Sequence, residues 1–509
     1  MTPRSASSAP ATLVPLDPAS GAPAYRQICD SLRDAIVSGR MGPGARVPGT
    51  RVLASDLGVS RNTVNGALAQ LQAEGYVVAR SRAGVFVNDR IPDTLLAVPR
   101  DHSRQERRPA ARRHPSRPVR CSERSVALSK LPLAAGRSVV AAARPFQTGV
   151  PALDAFPWKL WARLLAGRAR QAGAALSGYG SVFGQTPLRE AIAGYLATAR
   201  GARCAAAQVV VTAGAQQALD LVARVLVDPD DVVWLEDPGY PSARGAFTAA
   251  GARIVGIGLD ADGLRLPGKQ GGEPPRLVYV TPSRQYPTGV TMSAARRLEL
   301  LRWASANRAW IVEDDYDSEF RYASRPLPCL QGLDDDGWVI YVGTFSKTVF
   351  PGLRLGYLVV PEALVDAFGE SRAIADRQPP GIEQAVLADF ITQGHFARHV
   401  RRMRDLYEER RNALLDAVGR WLGDYVTIGD TAAGMLALVH LRAGLSDQEV
   451  SRRALAVGVE APPLTSYAIR SPGRGGLLLG YAGYPPDALR AATRRLGAVL
   501  AEVAHRSPR

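Results

Sequence analysis

The sequence predicts a multidomain chain, with a small N-terminal α+β unit followed by a large α/β unit on a mostly parallel sheet. Three observations carry this. In the C-terminal portion, seven short and largely apolar runs alternate with helix-patterned stretches, as strands buried on both faces do. Near the N-terminus, two short helical patterns meet at a glycine turn and are followed by an alternating hairpin. Between them lies a stretch rich in Arg, Pro and Ser that lacks apolar periodicity and cannot bury a core. At 509 residues the chain exceeds the usual size of one core. The boundaries read as a disordered N-terminus over 1–22, the small unit over 23–88, a flexible linker over 89–140 and the large unit over 141–509.

Composition narrows the function classes. With 46% hydrophobic and 22% charged residues the chain reads as soluble and globular. It has no uncharged apolar run of about 18 residues, so no membrane partner is expected. The opening "MTPRSASSAPATLVP" lacks the apolar centre of a secretory signal. Cys29, Cys121, Cys204 and Cys329 are scattered without a CxxC pair, which argues against disulfides and zinc and for a reducing cytoplasm. Net charge is +16, of which residues 1–88 supply +4, residues 89–137 supply +7 and the remaining 372 only +5. Basic charge is concentrated towards the N-terminal third, which suggests a polyanion partner there, although an arginine-rich bias of the proteome would account for the composition equally well.

In the small unit, "AYRQICDSLRDAIVSG" places Tyr25, Ile28, Leu32, Ala35 and Ile36 on one helical face and stops at Gly39. "TRVLASDLGVSRNTVNGALAQLQAEG" makes two short helices, with Gly58 at the turn and Ser60 as N-cap of the second. Val64, Ala67, Leu68 and Leu71 form the buried stripe of that second helix, leaving Arg61, Asn62, Thr63 and Asn65 free at its start. "YVVARSRAGVFV" alternates around Gly84 as a two-stranded wing. This is the layout of a winged helix-turn-helix, whose second helix enters the major groove of double-stranded DNA with its first residues facing bases. A three-helix packing module would share the grammar without binding DNA.

In the large unit the strand-like runs are "QVVVTA", "DVVWLED", "ARIVGIGL", "RLVYVTP", "AWIVEDD", "VIYVGT" and "GYLVV". Helix-patterned segments such as 215–227 and 293–306 separate several of them. Ligands of such sheets bind beyond the carboxyl ends of the strands, so chemistry should follow these runs directly. After the first comes a glycine turn opening a helix, where Gly214, Ala215 and Gln216 offer free amides to an anion or phosphate. After the fifth, Asp314 and Tyr316 point the same way in extended chain, presenting a carboxylate and a phenol together. After the sixth come Thr344, Ser346 and Lys347, and then Arg354. Tyr240 follows the second run and offers an aromatic plate.

Lys347 is one of only four lysines among 63 Lys+Arg. Lysine and arginine are equivalent as distant charges, but only lysine is a primary amine able to form a Schiff base. A phosphate seat, a carboxylate for a pyridinium nitrogen, a phenol for a ring hydroxyl and a reactive amine together describe a site for pyridoxal 5′-phosphate. His395 and His399 share the four-residue spacing of helical metal ligands, but no acidic third ligand accompanies them. An exposed basic helix is expected there, and no metal.

"PGARVPGTRVLASDLGVSRNTVNGALAQLQAEGYVVAR" resembles the GntR-type winged-helix domain, which implies DNA contacts from Arg46, Arg51, Ser60, Arg61, Thr63 and Gly84. "TPSRQYPTG", "VEDDYDSEFRY" and "GTFSKTVFPGLRLGYLVVP" resemble the MocR/GabR-type regulators, which fuse that domain to a fold-type I aminotransferase-like domain. The resemblance covers nearly the whole chain apart from the linker and the extreme N-terminus. It implies Lys347 as the Schiff-base lysine, Asp314 at the pyridine nitrogen, Tyr316 at the phenolic oxygen and Tyr240 stacked on the ring. It also implies phosphate contacts from Gly214, Ala215, Gln216, Thr344, Ser346 and Arg354, and a substrate or effector carboxylate at Arg474. Arg284 stands where the family usually carries His. The implied protein is a homodimeric transcription regulator that senses an amine, an amino acid or the cofactor itself. A working aminotransferase carrying a DNA-binding attachment is the alternative, since the catalytic set looks complete.

Overall fold

The structure is a computed structural model that describes residues 14–17, 20–81, 83–89, 121–129, 131, 144–266, 273–322, 327–470 and 473–506. The chain divides into two compact units between residues 119 and 120.

In the N-terminal unit, α1 (Ala24–Val37) buries Ile28, Cys29, Leu32, Ala35 and Ile36. Tyr25, expected on that face, is 43% exposed, and the buried stripe of α1 begins at Ile28. Helices α2 (Thr50–Asp56) and α3 (Arg61–Ala73) follow, and the Ser60 side chain caps α3 by accepting from the Thr63 amide at 3.1 Å. Val64, Ala67, Leu68 and Leu71 are all buried, each larger side chain contributing roughly 1.5–3 kcal/mol of apolar transfer. Strands β1 (Val77–Arg80) and β2 (Gly84–Val87) pair antiparallel as the wing, Val77 opposite Val87.

Two boundary readings are corrected by the structure. Val14 is buried in the core of this unit, and the Gln27 side chain accepts from the Asp17 amide at 2.9 Å and donates to the Asp17 carbonyl at 3.2 Å. Part of the segment read as disordered over 1–22 is therefore pinned to α1, since an apolar residue within reach of the core is buried; residues 1–13 lie outside the described residues. In the stretch read as a flexible linker, Ser122 caps a short helix, α4 (Glu123–Ser129). Residues 90–120 of that stretch lie outside the described residues.

In the large unit α5 (Trp158–Arg170), α6 (Ala174–Ser177) and α7 (Thr186–Arg200) precede the main sheet. The chain continues through β3 (Val209–Thr212), α8 (Ala215–Leu226), β4 (Val232–Asp237), α9 (Pro241–Ala250), β5 (Arg253–Asp260) and β6 (Gly263–Leu264). It goes on through β7 (Leu277–Val280), α10 (Ala294–Asn307), β8 (Trp310–Asp315), α11 (Leu330–Leu333), β9 (Val339–Thr344) and β10 (Gly356–Val359). All seven apolar runs are strands, and with the two-residue β6 they form an eight-stranded sheet in the order β3-β10-β9-β8-β7-β4-β5-β6.

Strands β5, β4, β7, β8 and β9 are parallel, whereas β10 runs antiparallel to both β9 and β3. The link between β9 and β10, residues 345–355, is shorter than a parallel crossover needs, so the chain returns in the opposite sense. The carboxyl ends of β3, β4, β8 and β9 consequently share one edge, and the amino end of β10 joins them there. Thr212 and Thr344 both lie opposite Gly356 at that edge.

Helices α12 (Val365–Ala375), α13 (Gly381–Thr392) and α14 (His395–Trp421) lead to a second sheet absent from the sequence reading. It is antiparallel, formed by β11 (Val426–Ile428), β12 (Leu436–Leu441) and, after α15 (Asp447–Ala456), β13 (Gly476–Gly480). Helix α14 and the last helix, α16 (Pro486–Arg506), pack together beside it, burying Met403, Tyr407, Leu414, Leu489, Leu496 and Leu500.

Candidate cofactor site and nucleic-acid interface

The shared strand edge gathers most of the residues the sequence singled out. Gly214 opens α8 at φ 98°, a conformation only glycine adopts freely. It leaves the Ala215 and Gln216 amides at the open end of the helix, where the dipole favours an anion. The Arg354 guanidinium lies against this turn, since a Cβ on Gly214 would stand 3.4 Å from its Cζ and both terminal nitrogens. Thr344 and Ser346 are half-buried beside it, the Thr344 hydroxyl accepting from the Ser346 amide at 3.2 Å. Amides, hydroxyls and a guanidinium make an anion seat.

Asp314 sits deeper on β8. Its Oδ2 accepts from the Tyr279 hydroxyl at 2.7 Å, while its buried Oδ1 has no hydrogen-bond partner. Burial pushes this carboxyl up to about 7, opposed by the Tyr279 hydrogen bond and aided by neighbouring Asp315. Lys347 donates from Nζ to the Gly149 carbonyl at 2.9 Å. Burial lowers its pKa, and the charges of Asp317 and Asp314 resist that fall. Gly149 has φ 76°, and a Cβ there would stand 2.6 Å from Lys347 Nζ, so this amine occupies space that any other residue would fill.

The remaining wall is aromatic. Tyr286 meets Tyr240, Tyr316 and Tyr467 edge-on, with centroids 5.6, 5.7 and 5.6 Å away. Arg284 is buried, with Nη1 in long contacts of 3.4 Å to the Tyr316 hydroxyl and to Asp317 Oδ2, and Nη2 donating to the Leu436 carbonyl at 2.7 Å. An amine, an anion seat and a carboxylate oxygen lacking a donor fit pyridoxal phosphate, because a protonated ring nitrogen is the donor that Asp314 Oδ1 lacks.

Two expectations are corrected. The exposed side chain of Arg474 donates to the Leu441 carbonyl at 3.0 Å and to the Thr427 hydroxyl at 2.9 Å. Gly476 pairs with His440 and Gly480 with Leu436, whose carbonyl holds Arg284. Arg474 is therefore at the other end of the small sheet, roughly 15–20 Å of strand from the pocket. The second correction concerns α14, where His399 is buried beside Phe156 and Phe390 rather than on an exposed face, and burial lowers its pKa to about 4. Among the described residues no group of side chains is arranged to hold a metal ion.

In the N-terminal unit, Arg46, Arg51, Ser60, Arg61, Asn62 and Asn65 are exposed, and Thr63 is half-buried against the Ser60 hydroxyl at 2.8 Å. Gly84 turns the wing at φ 112° with the Arg46 guanidinium packed over it, 3.3 Å from where a Cβ would stand. The first turn of α3 is thus an uncovered polar surface flanked by arginines.

Comparison with known proteins agrees with both units. Residues 148–496 match the aminotransferase class I and II family, and residues 24–87 match the gntR family of bacterial regulatory proteins. The probable rhizopine catabolism regulatory protein MocR of Rhizobium meliloti is 41% identical over 485 residues, 93% of this chain and 93% of that protein. The chain belongs to the MocR-type regulators. Another relative, the HTH-type transcriptional regulator TauR of Rhodobacter capsulatus, is 37% identical over 76% of this chain and 77% of its own length. A solved structure of LysN, an alpha-aminoadipate aminotransferase from Thermus thermophilus complexed with N-(5′-phosphopyridoxyl)-L-leucine, is also similar. It aligns at TM-score 0.66 and 32% identity, covering 71% of this chain and 92% of that one.

This MocR-type regulator therefore joins a winged helix-turn-helix to a fold-type I aminotransferase fold. Sequence reasoning missed Gly149 and Tyr279, whose partners lie 198 and 35 residues away. One signal was available. A tyrosine inside "RLVYVTP", a strand buried on both faces, must find a partner for its hydroxyl.

Proposed function

We propose that this regulator binds pyridoxal phosphate at the strand edge and senses an amine, an amino acid or the cofactor itself there, changing how a pair of N-terminal units holds an operator. The observation that carries the reading is the buried, partnerless Asp314 Oδ1 on the same edge as Lys347 and the Gly214–Arg354 anion seat. Bound there, pyridoxal phosphate supplies an aldehyde that exchanges reversibly between amines and a ring that withdraws electrons.

The chain's own residues set the rest. Gly214, Ala215, Gln216, Thr344, Ser346 and Arg354 hold the phosphate, Asp314 the ring nitrogen and Tyr316 the phenolic oxygen, and Tyr240 lies on the ring face. Lys347 supplies the primary amine, which burial keeps more readily uncharged than a surface lysine. On the DNA side, Arg61, Asn62, Thr63 and Asn65 face bases, while Arg46, Arg51, Ser60 and the wing at Gly84 hold phosphate.

An effector shifts DNA binding only if it binds two conformations differently. Helix α4 supports a route for such coupling, because it packs against α9, the helix that Tyr240 begins. A homodimer would present two heads to two half-sites. An active aminotransferase is the weaker reading, because the relatives at 41% and 37% identity are named as regulators. The test is to titrate candidate amines into cofactor-loaded protein while following its visible spectrum and its operator binding together. Coincident changes support the reading. A spectral change with steady turnover and constant operator affinity supports the enzyme instead.

A further inference from the structure

Tyr279 is 1% exposed, on β7, with Val312 of β8 opposite it in the sheet. Its ring packs edge-on to Phe247 at 6.4 Å, within a largely aliphatic core cluster that also holds Phe368. Its hydroxyl is the one described donor to Asp314, 2.7 Å from Oδ2. A carboxylate has two oxygens, and here one is committed to the phenol while the other is buried without a hydrogen-bond partner. We propose that Tyr279 is a positioning residue for the cofactor's ring nitrogen, its phenol fixing one oxygen of Asp314 so that the other accepts from the pyridinium N–H. The proposal rests on the cofactor reading above.

The electrostatics explain why a donor is required. Asp314 is faced by Asp315 on its own strand, Tyr316 and Asp317 after it, Lys347 after β9, Glu236 on β4 and Tyr240 at the start of α9. Burial and the neighbouring acids favour the protonated carboxyl, which could not accept a ring proton. Lys347 and the Tyr279 hydrogen bond are what favour the charged form. The charge of Lys347 varies with the chemistry of the site, whereas the phenol stays neutral and donates throughout, because burial and Asp314 raise its pKa well above the ordinary value. Tyr279 therefore favours the ionised carboxylate whether or not the lysine is charged.

The test is nuclear magnetic resonance of ring-¹⁵N pyridoxal phosphate bound to full-length protein, titrated with pH. Tyr279→Phe keeps the packed ring and removes only the donor. The ring nitrogen should lose its proton at least about one pH unit lower than in wild type, and cofactor affinity should fall roughly tenfold, while the melting temperature of the cofactor-free protein changes little. Tyr279→Met, which also lacks the hydroxyl, should shift the titration the same way and serves if the Phe variant folds poorly. A wild-type nitrogen titration in both variants, with Asp314→Asn altered, would overturn the role of Tyr279 alone. A wild-type titration in Asp314→Asn would sink the Asp314 assignment and this inference with it.

Discussion

The two functional regions of this regulator are built on opposite plans. In the N-terminal unit the residues assigned to DNA are exposed, and apart from the Ser60–Thr63 cap the structure spends little on orienting them. In the pocket, Asp314, Lys347 and Arg284 are held by partners far away in sequence, and their surroundings move the ionisation of all three. A surface that meets a polyanion works through the number and spacing of its charges. A site that must steer protons works through what surrounds each group. Substitutions in the first region should weaken function in steps, and substitutions in the second should abolish it.

The largest expected effect is at Lys347. Lys347→Ala should abolish the visible imine band of cofactor-loaded protein, and an unchanged spectrum would show that another group holds the cofactor. Gly149→Ala comes next, because the new methyl would stand 2.6 Å from Nζ in a backbone conformation that alanine resists. Cofactor uptake measured by absorbance should drop at least tenfold, while the fold, read by circular dichroism of the whole chain, is retained.

The pH dependence of stability sharpens the contrast further. Asp314, Glu236 and Asp317 are raised by burial to about 7, 7 and 6. Between about pH 4 and pH 7 these three carboxyls bind more protons folded than unfolded, so the folded state loses stability as pH rises through that window. His399, kept neutral down to about 4 by burial, acts in the opposite sense between pH 4 and 6.5, and the three carboxyls outweigh it. Adding pyridoxal phosphate gives Asp314 a cationic partner. The rise in melting temperature on loading should therefore be larger at pH 8 than at pH 5, and an equal rise at both would argue against a charged Asp314 pairing with the ring. The smallest effect belongs to the exposed head. Arg51→Ala should weaken operator binding similarly across sequences and reduce the slope of log affinity against log salt by about one.

The same contrast explains what the sequence made legible. Strands buried on both faces announce themselves as apolar runs, and all seven were located. Asp314, Tyr316 and Lys347 could be singled out because each lies at or just after the end of such a run, and Arg354 because it stands just ahead of one. The α3 stripe and its Ser60 cap were equally local. Pairings across long separations were not readable: Gly149 with Lys347, Tyr279 with Asp314, and Val14 with the core of the head. The small sheet was missed because the periodicity of "LALVHL" and "GLLLG" does not by itself distinguish strand from buried helix. Arg474 was misplaced for a related reason, since only the register of β12 against β13 shows which end of that sheet meets the pocket.

The account stands on one amine. Borohydride reduction of pyridoxal phosphate-saturated protein, followed by peptide mass mapping, tests it directly in a chain with only four lysines. The account predicts a single phosphopyridoxyl label on the peptide carrying Lys347. A label confined to Lys130, Lys159 or Lys269, or none at all, would contradict it.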